Sequence, residues 1–88
     1  LMKDVISLDK LYEANLDYLR NLELYILTGE NKLKELEETI IPEYIEKAEA
    51  SKDMLLIQEL KEVRGFSDDL ERRVHDLRLS RQVALQAL

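Results

Sequence analysis

The sequence predicts an all-α protein, a long kinked antiparallel helical hairpin of coiled-coil type, and three observations carry that prediction. From Leu60 to Leu88 the positions Leu60, Val63, Ser67, Leu70, Val74, Leu77, Arg81, Ala84 and Leu88 alternate steps of three and four. That heptad rhythm suits one partner, another helix lying alongside. Composition agrees, because good helix formers dominate and the 88 residues include only two Gly and one Pro. Finally, the apolar rhythm lapses clearly at one place, Ser51-Lys52-Asp53, so the chain reads as two arms and a turn.

The first arm is expected to begin near residue 4. Leu8, Leu11, Asn15, Tyr18, Leu22 and Tyr25 set up its seam, with Gly29 as the next position. In this reading the rings of Tyr18 and Tyr25 fill the core and their hydroxyls reach outward. Thr28-Gly29-Glu30-Asn31 leaves two readings open. Gly29 either ends one helix and makes a three-helix bundle, or is tolerated inside a continuing helix at about 1 kcal/mol relative to Ala.

Beyond it Leu33, Leu36, Ile40, Tyr44 and Ala48 continue the stripe, widened by Ile41 and Ile45. Pro42 lacks an N–H and crowds the carbonyl of Glu38, so a kink belongs there. Ser51 or Asp53 then caps the last helix, which runs from about residue 53 to the end with Gly65 as a local weak point. In the hairpin, residues equidistant from position 52 face each other, which puts Glu23 near Arg81 and Ile26 near Arg78. Such a particle is roughly 70 Å long at ~1.5 Å per helical residue. Asn15 and Ser67, polar residues on the seam, read as devices that set register.

Bulk charge limits the function. The formal net charge is −6, which argues against nucleic acid as a partner. It is unevenly spread, since residues 1–69 hold nine Lys/Arg against seventeen Asp/Glu and residues 70–88 hold four Arg against two acids. An acidic arm against a mildly basic one suits two helices that pack together. No cysteine is present, so no disulfide, thiolate metal site or thiol nucleophile is expected. The longest apolar run, Met54-Leu55-Leu56-Ile57, falls far short of the ~20 residues that span a bilayer. Membrane insertion is not expected, and surface attachment would need a Lys/Arg-rich amphipathic face that is missing.

The arginines are the candidate functional residues. Arg72 and Arg73 each follow an acid by four residues, Asp68 and Asp69, and surface pairing accounts for them. Arg78 and Arg81 have no carboxylate three or four residues before them on their own helix. They therefore call for an acid from the other arm (Glu23, or Asp17 nearby), a partner protein, or a bound anion, with Arg73 in support of the last. His75 follows Glu71 by four, without the Glu-x-x-His repeat of helical di-metal sites, and reads as a rim residue. There is no phosphate loop, no nucleophile triad and no facing carboxylate pair. The chain is expected to be non-enzymatic, without cofactor or metal.

The strings Leu8-Asp9-Lys10-Leu11-Tyr12-Glu13-Ala14-Asn15-Leu16-Asp17-Tyr18-Leu19, Glu23-Leu24-Tyr25-Ile26, Glu71-Arg72-Arg73-Val74-His75-Asp76-Leu77 and Ser80-Arg81-Gln82-Val83-Ala84-Leu85-Gln86 resemble the central region of the toxic anion resistance (TelA/KlaA) family. The resemblance covers most of the chain in the same order and is weakest between residues 30 and 60. It implies a bacterial, cytoplasmic, mostly helical protein of several hundred residues, associated with resistance to tellurite and similar oxyanions. It supplies no catalytic residues. On this reading residues 1–88 are a single helical domain and an internal piece of a longer protein. The expected role is a coiled-coil interaction or assembly module that associates with itself or with other regions of its parent. Direct binding of an oxyanion by Arg78 and Arg81 is the alternative.

Overall fold

The computed structural model describes residues 2–88, with side chains described from Ser7 onward. Three α-helices and one π-helical turn make up two arms: α1 spans Met2–Glu35, the π turn Leu36–Ile40, α2 Ile41–Ser51 and α3 Met54–Gln86. The first arm is continuous from α1 through α2, and α3 returns along it. The particle measures 72 × 17 × 15 Å, the rod expected of a hairpin rather than the shorter body of three helices. Gly29 lies inside α1 and has an ordinary right-handed backbone, so no third helix forms there.

The irregularity expected at Pro42 takes the form of the π turn. The amide of Ile41 donates to the carbonyl of Leu36, five residues back, and Pro42 falls in the first turn of α2. Widening the helix just ahead of a proline moves the carbonyls its ring would strike. A residue without an N–H is also tolerated best in a first turn. The reversal is compact. Lys52 adopts a left-handed conformation at φ 53°, the geometry that ends many helices, and its amide bonds to the Ala48 carbonyl at 3.0 Å. Asp53 then caps α3 by accepting from the Leu55 amide at 2.9 Å. Ser51 supports the turn differently, donating to the Lys47 carbonyl at 2.8 Å.

The seam of α3 follows its heptads. Leu60, Val63, Ser67, Leu70, Val74, Leu77, Arg81 and Ala84 are all buried or half-buried, and only the last position, Leu88, is exposed. The seam of α1 corrects the sequence reading. Tyr18 and Tyr25 lie outside the core, with Tyr25 62% exposed, whereas Ile26 is 2% exposed and Leu19 half-buried. The rhythm from Asn15 runs four then three, through Leu19, Leu22, Ile26, Gly29, Leu33 and Leu36. The tyrosines sit one position off, on its edge. Leu8 and Leu11, also expected on the seam, are exposed, because at this register Asn15 is already level with Leu88.

The register is set where the arms come closest. A Cβ built on Gly29 would stand 2.5 Å from Cγ2 of Val74, and Val74 is 1% exposed. A branched, fully buried neighbour cannot swing aside, so only glycine fits. The same alignment sets Leu36 level with Ser67, and both are buried. Small faces large in both layers, with the small residue on α1 in one and on α3 in the other. A slip of one heptad would oppose Val74 and Leu36 and overfill the seam. Ser67 thus has a steric role in register beside its polar character.

Two glycine substitutions separate helix propensity from packing. Gly65→Ala, where a Cβ meets nothing within 4 Å, raises stability by about 0.5–1 kcal/mol, since alanine is the better helix former. Gly29→Ala gains the same propensity yet lowers the melting temperature, because the added methyl pries the arms apart. Thermal melts followed by circular dichroism give both signs. Asp53→Ala removes the cap of α3 and costs about 1 kcal/mol in the same assay.

Candidate functional site

The two flanks of the seam differ in chemistry. On one, α1 presents Glu23 and Glu30 seven residues apart, hence on one line of the helix, and α3 presents Arg78 and Arg81 to them. Nη1 of Arg81 donates to Oε2 of Glu23 at 3.3 Å, and Nη2 of Arg78 lies 3.3 Å from Oε1 of Glu30. Arg81 is on the seam itself, and its side chain is the least exposed of the four, whereas the Arg78–Glu30 pair is open to water. Ile26, expected beside Arg78, is a core residue, and the carboxylate that meets Arg78 comes from the next turn of α1. Asp17, the other acid weighed for Arg81, pairs with Arg20 on its own helix at 3.3 Å.

Glu30 was the residue missed by sequence reasoning. It lies within Thr28–Asn31, where the sequence is ambiguous between helix and turn, although its spacing of seven from Glu23 marks it as a candidate. The four charges cancel, so this flank carries no net positive field to attract an anion. At such exposure each pair contributes about 0–1 kcal/mol and is weakened by salt.

Arg72 pairs with Asp69, three residues back, and not with Asp68 as its four-residue spacing suggested. That leaves Arg73 without an ion pair among the described residues. Arg73 lies on the opposite flank, along an open groove of 410 Å³ lined by Tyr25 and Gly29 of α1 and by Leu70, Val74, Asp76, Leu77 and Ser80 of α3. The groove is largely apolar. Arg73, expected to support Arg78 and Arg81 at a bound anion, lies across the seam from them. His75 is exposed, in a shallow hollow with Asp68, Glu71, Arg72 and Arg78. No group of three or more His, Asp or Glu suited to a metal ion occurs among the described residues, and none of their helices is long and apolar enough to cross a membrane.

These features define a class, an antiparallel helical hairpin with one charged flank and one apolar flank. The particular family follows from comparison with known proteins. The family described as toxic anion resistance protein (TelA) matches residues 1–88, and the chain belongs to it. It is 44% identical over 86 residues to an uncharacterized protein of Listeria monocytogenes, covering 98% of this chain and 22% of that protein. It is 43% identical over 88 residues to the YaaN protein of Bacillus subtilis, covering 99% and 23%. A TelA-like protein of Staphylococcus epidermidis is also 43% identical over 86 residues, covering 98% and 23%. The chain thus spans less than a quarter of the length of these relatives. No solved structure matches it.

Double-mutant cycles on Glu23/Arg81 and Glu30/Arg78, read by urea unfolding, are expected to give couplings of about 0.3–1 kcal/mol each. Both couplings should shrink in about 0.5 M salt. A coupling near 3 kcal/mol would mean that the pairs are far better shielded than their exposure indicates.

Proposed function

We propose that this chain is a non-enzymatic helical interaction module of a bacterial toxic-anion (tellurite) resistance protein. On this reading its apolar surface docks other helices in a cytoplasmic assembly. The observation that carries the reading is the stripe on α1. Its apolar rhythm continues from the seam to Tyr12, Leu11 and Leu8, which are exposed at 53%, 59% and 65%, so helical contacts from elsewhere in the parent protein or from another chain would extend the seam. A row of large apolar residues in heptad phase suits a further helix and little else. The hairpin's core is thin as well. Among the described residues its buried apolar members are Leu22, Ile26, Leu36, Ala48 and Val74, so added helical contacts would bring a substantial gain in buried area.

Direct capture of an oxyanion by Arg78 and Arg81 fits less well, because each guanidinium already has a glutamate beside it. An incoming anion would have to displace that glutamate while leaving a carboxylate a few ångströms away.

Two measurements test the proposal. In a full-length family member, Leu11→Glu combined with Tyr12→Glu should abolish tellurite resistance while the circular dichroism of the isolated hairpin stays helical; undiminished resistance would remove the docking role. Tellurite titrated into the 88-residue chain should produce no saturable NMR shifts at the side chains of Arg78 and Arg81. Saturable shifts there would establish the anion-binding reading in its place.

A further inference from the structure

The groove on the apolar flank contains two charged side chains of opposite sign, Arg73 and Asp76. Neither forms an ion pair among the described residues, although three residues separate them on one helix. Outward along α3 from this pair lie two exposed apolar residues, Phe66 at 53% and Val83 at 67%. Phe66 precedes Arg73 by seven residues and Val83 follows Asp76 by seven. Seven residues are two helical turns, roughly 10.5 Å, so all four occupy one face. Along that face the order is apolar, cation, anion, apolar, with equal outer spacings. Reversed and laid on itself, this pattern is complementary.

We propose that this groove seats a second copy of the same chain, with the two α3 helices antiparallel about a two-fold axis midway between Arg73 and Asp76. The proposal rests on the docking reading above and names the partner for this one face. A two-fold contact repeats each pairing, so residue i meets j and j meets i. Here Arg73 meets Asp76 of the partner subunit, Asp76 meets Arg73 of the partner subunit, and Phe66 packs on Val83 of the partner subunit at both ends. Asp69 falls level with Ser80 of the partner subunit, so no like charges are opposed. Tyr25 and Gly29 border the groove from the α1 side. Charge complementarity selects a copy of this chain over an unrelated helix, because the groove carries both members of the pair. A parallel arrangement would instead set arginine against arginine and aspartate against aspartate.

The contact covers about five turns of helix, at the small end of specific interfaces, so association in the micromolar range is expected. Sedimentation equilibrium between about 10 μM and 1 mM is the assay. Either Arg73→Asp or Asp76→Arg disrupts two symmetry-related pairs and should weaken the dimer on the order of tenfold. The double exchange R73D/D76R should restore it to within about threefold. Because the chain has no cysteine, an equimolar mixture of Phe66→Cys and Val83→Cys chains gives the orientation. The mixed disulfide should exceed either homodisulfide. A chain that is monomeric at 1 mM, a dimer indifferent to the single reversals, or a dominant homodisulfide of the Phe66→Cys chain would each overturn the proposal. Those outcomes leave the resistance assay on Leu11 and Tyr12 unaffected, so failure of this face is distinguishable from failure of the docking role.

Discussion

The hairpin depends on the meeting of Gly29 with Val74. Helix interiors disfavour glycine, and α1 accepts one because the branched side chain of Val74 fills the space a Cβ would need. The stability that propensity loses is returned as close approach and as the burial of Val74, a side chain worth roughly 1.5–3 kcal/mol when withdrawn from water. With only a thin core to distinguish alternatives, two small–large layers of opposite sense give the seam a steric key. That key excludes neighbouring registers, where leucine stripes alone would be permissive.

The electrostatics of the molecule follow from that register. Glu23 and Glu30 meet Arg81 and Arg78 because the Gly29–Val74 contact fixes which turns of the two arms are level. Surface ion pairs are too weak to hold such an alignment alone. They fit an alignment already set by packing, and in doing so neutralise one flank. The other flank has no such glutamates. It keeps Arg73, Asp76 and Tyr25 along an apolar groove, so the hairpin is two-sided.

The hairpin belongs to the toxic anion resistance (TelA) family and makes up about a fifth of the length of the relatives it matches. The geometry shows paired charges and open apolar stripes. Binding of a small anion would need unpaired donors converging on an enclosed point, and Arg78 and Arg81 each stand beside a glutamate.

Much of the fold was legible in the sequence. The heptads of α3, the turn at Ser51–Asp53 and the disturbance at Pro42 each have a local cause, respectively apolar period, loss of that period with a capping residue, and a missing N–H. The Glu23–Arg81 proximity followed from hairpin arithmetic. The stripe of α1 was misphased because tyrosine is apolar enough to pass for core, and steps of three-four and four-three share every second position. Continuing backward from Leu33 and Leu36 would have selected Ile26 and Leu19. What only the tertiary structure decided was the meaning of Gly29. A glycine in a helical pattern is locally the same signal for a break, a kink or a close approach. The distinction lies in a side chain forty-five positions away that no local rule can bring to it.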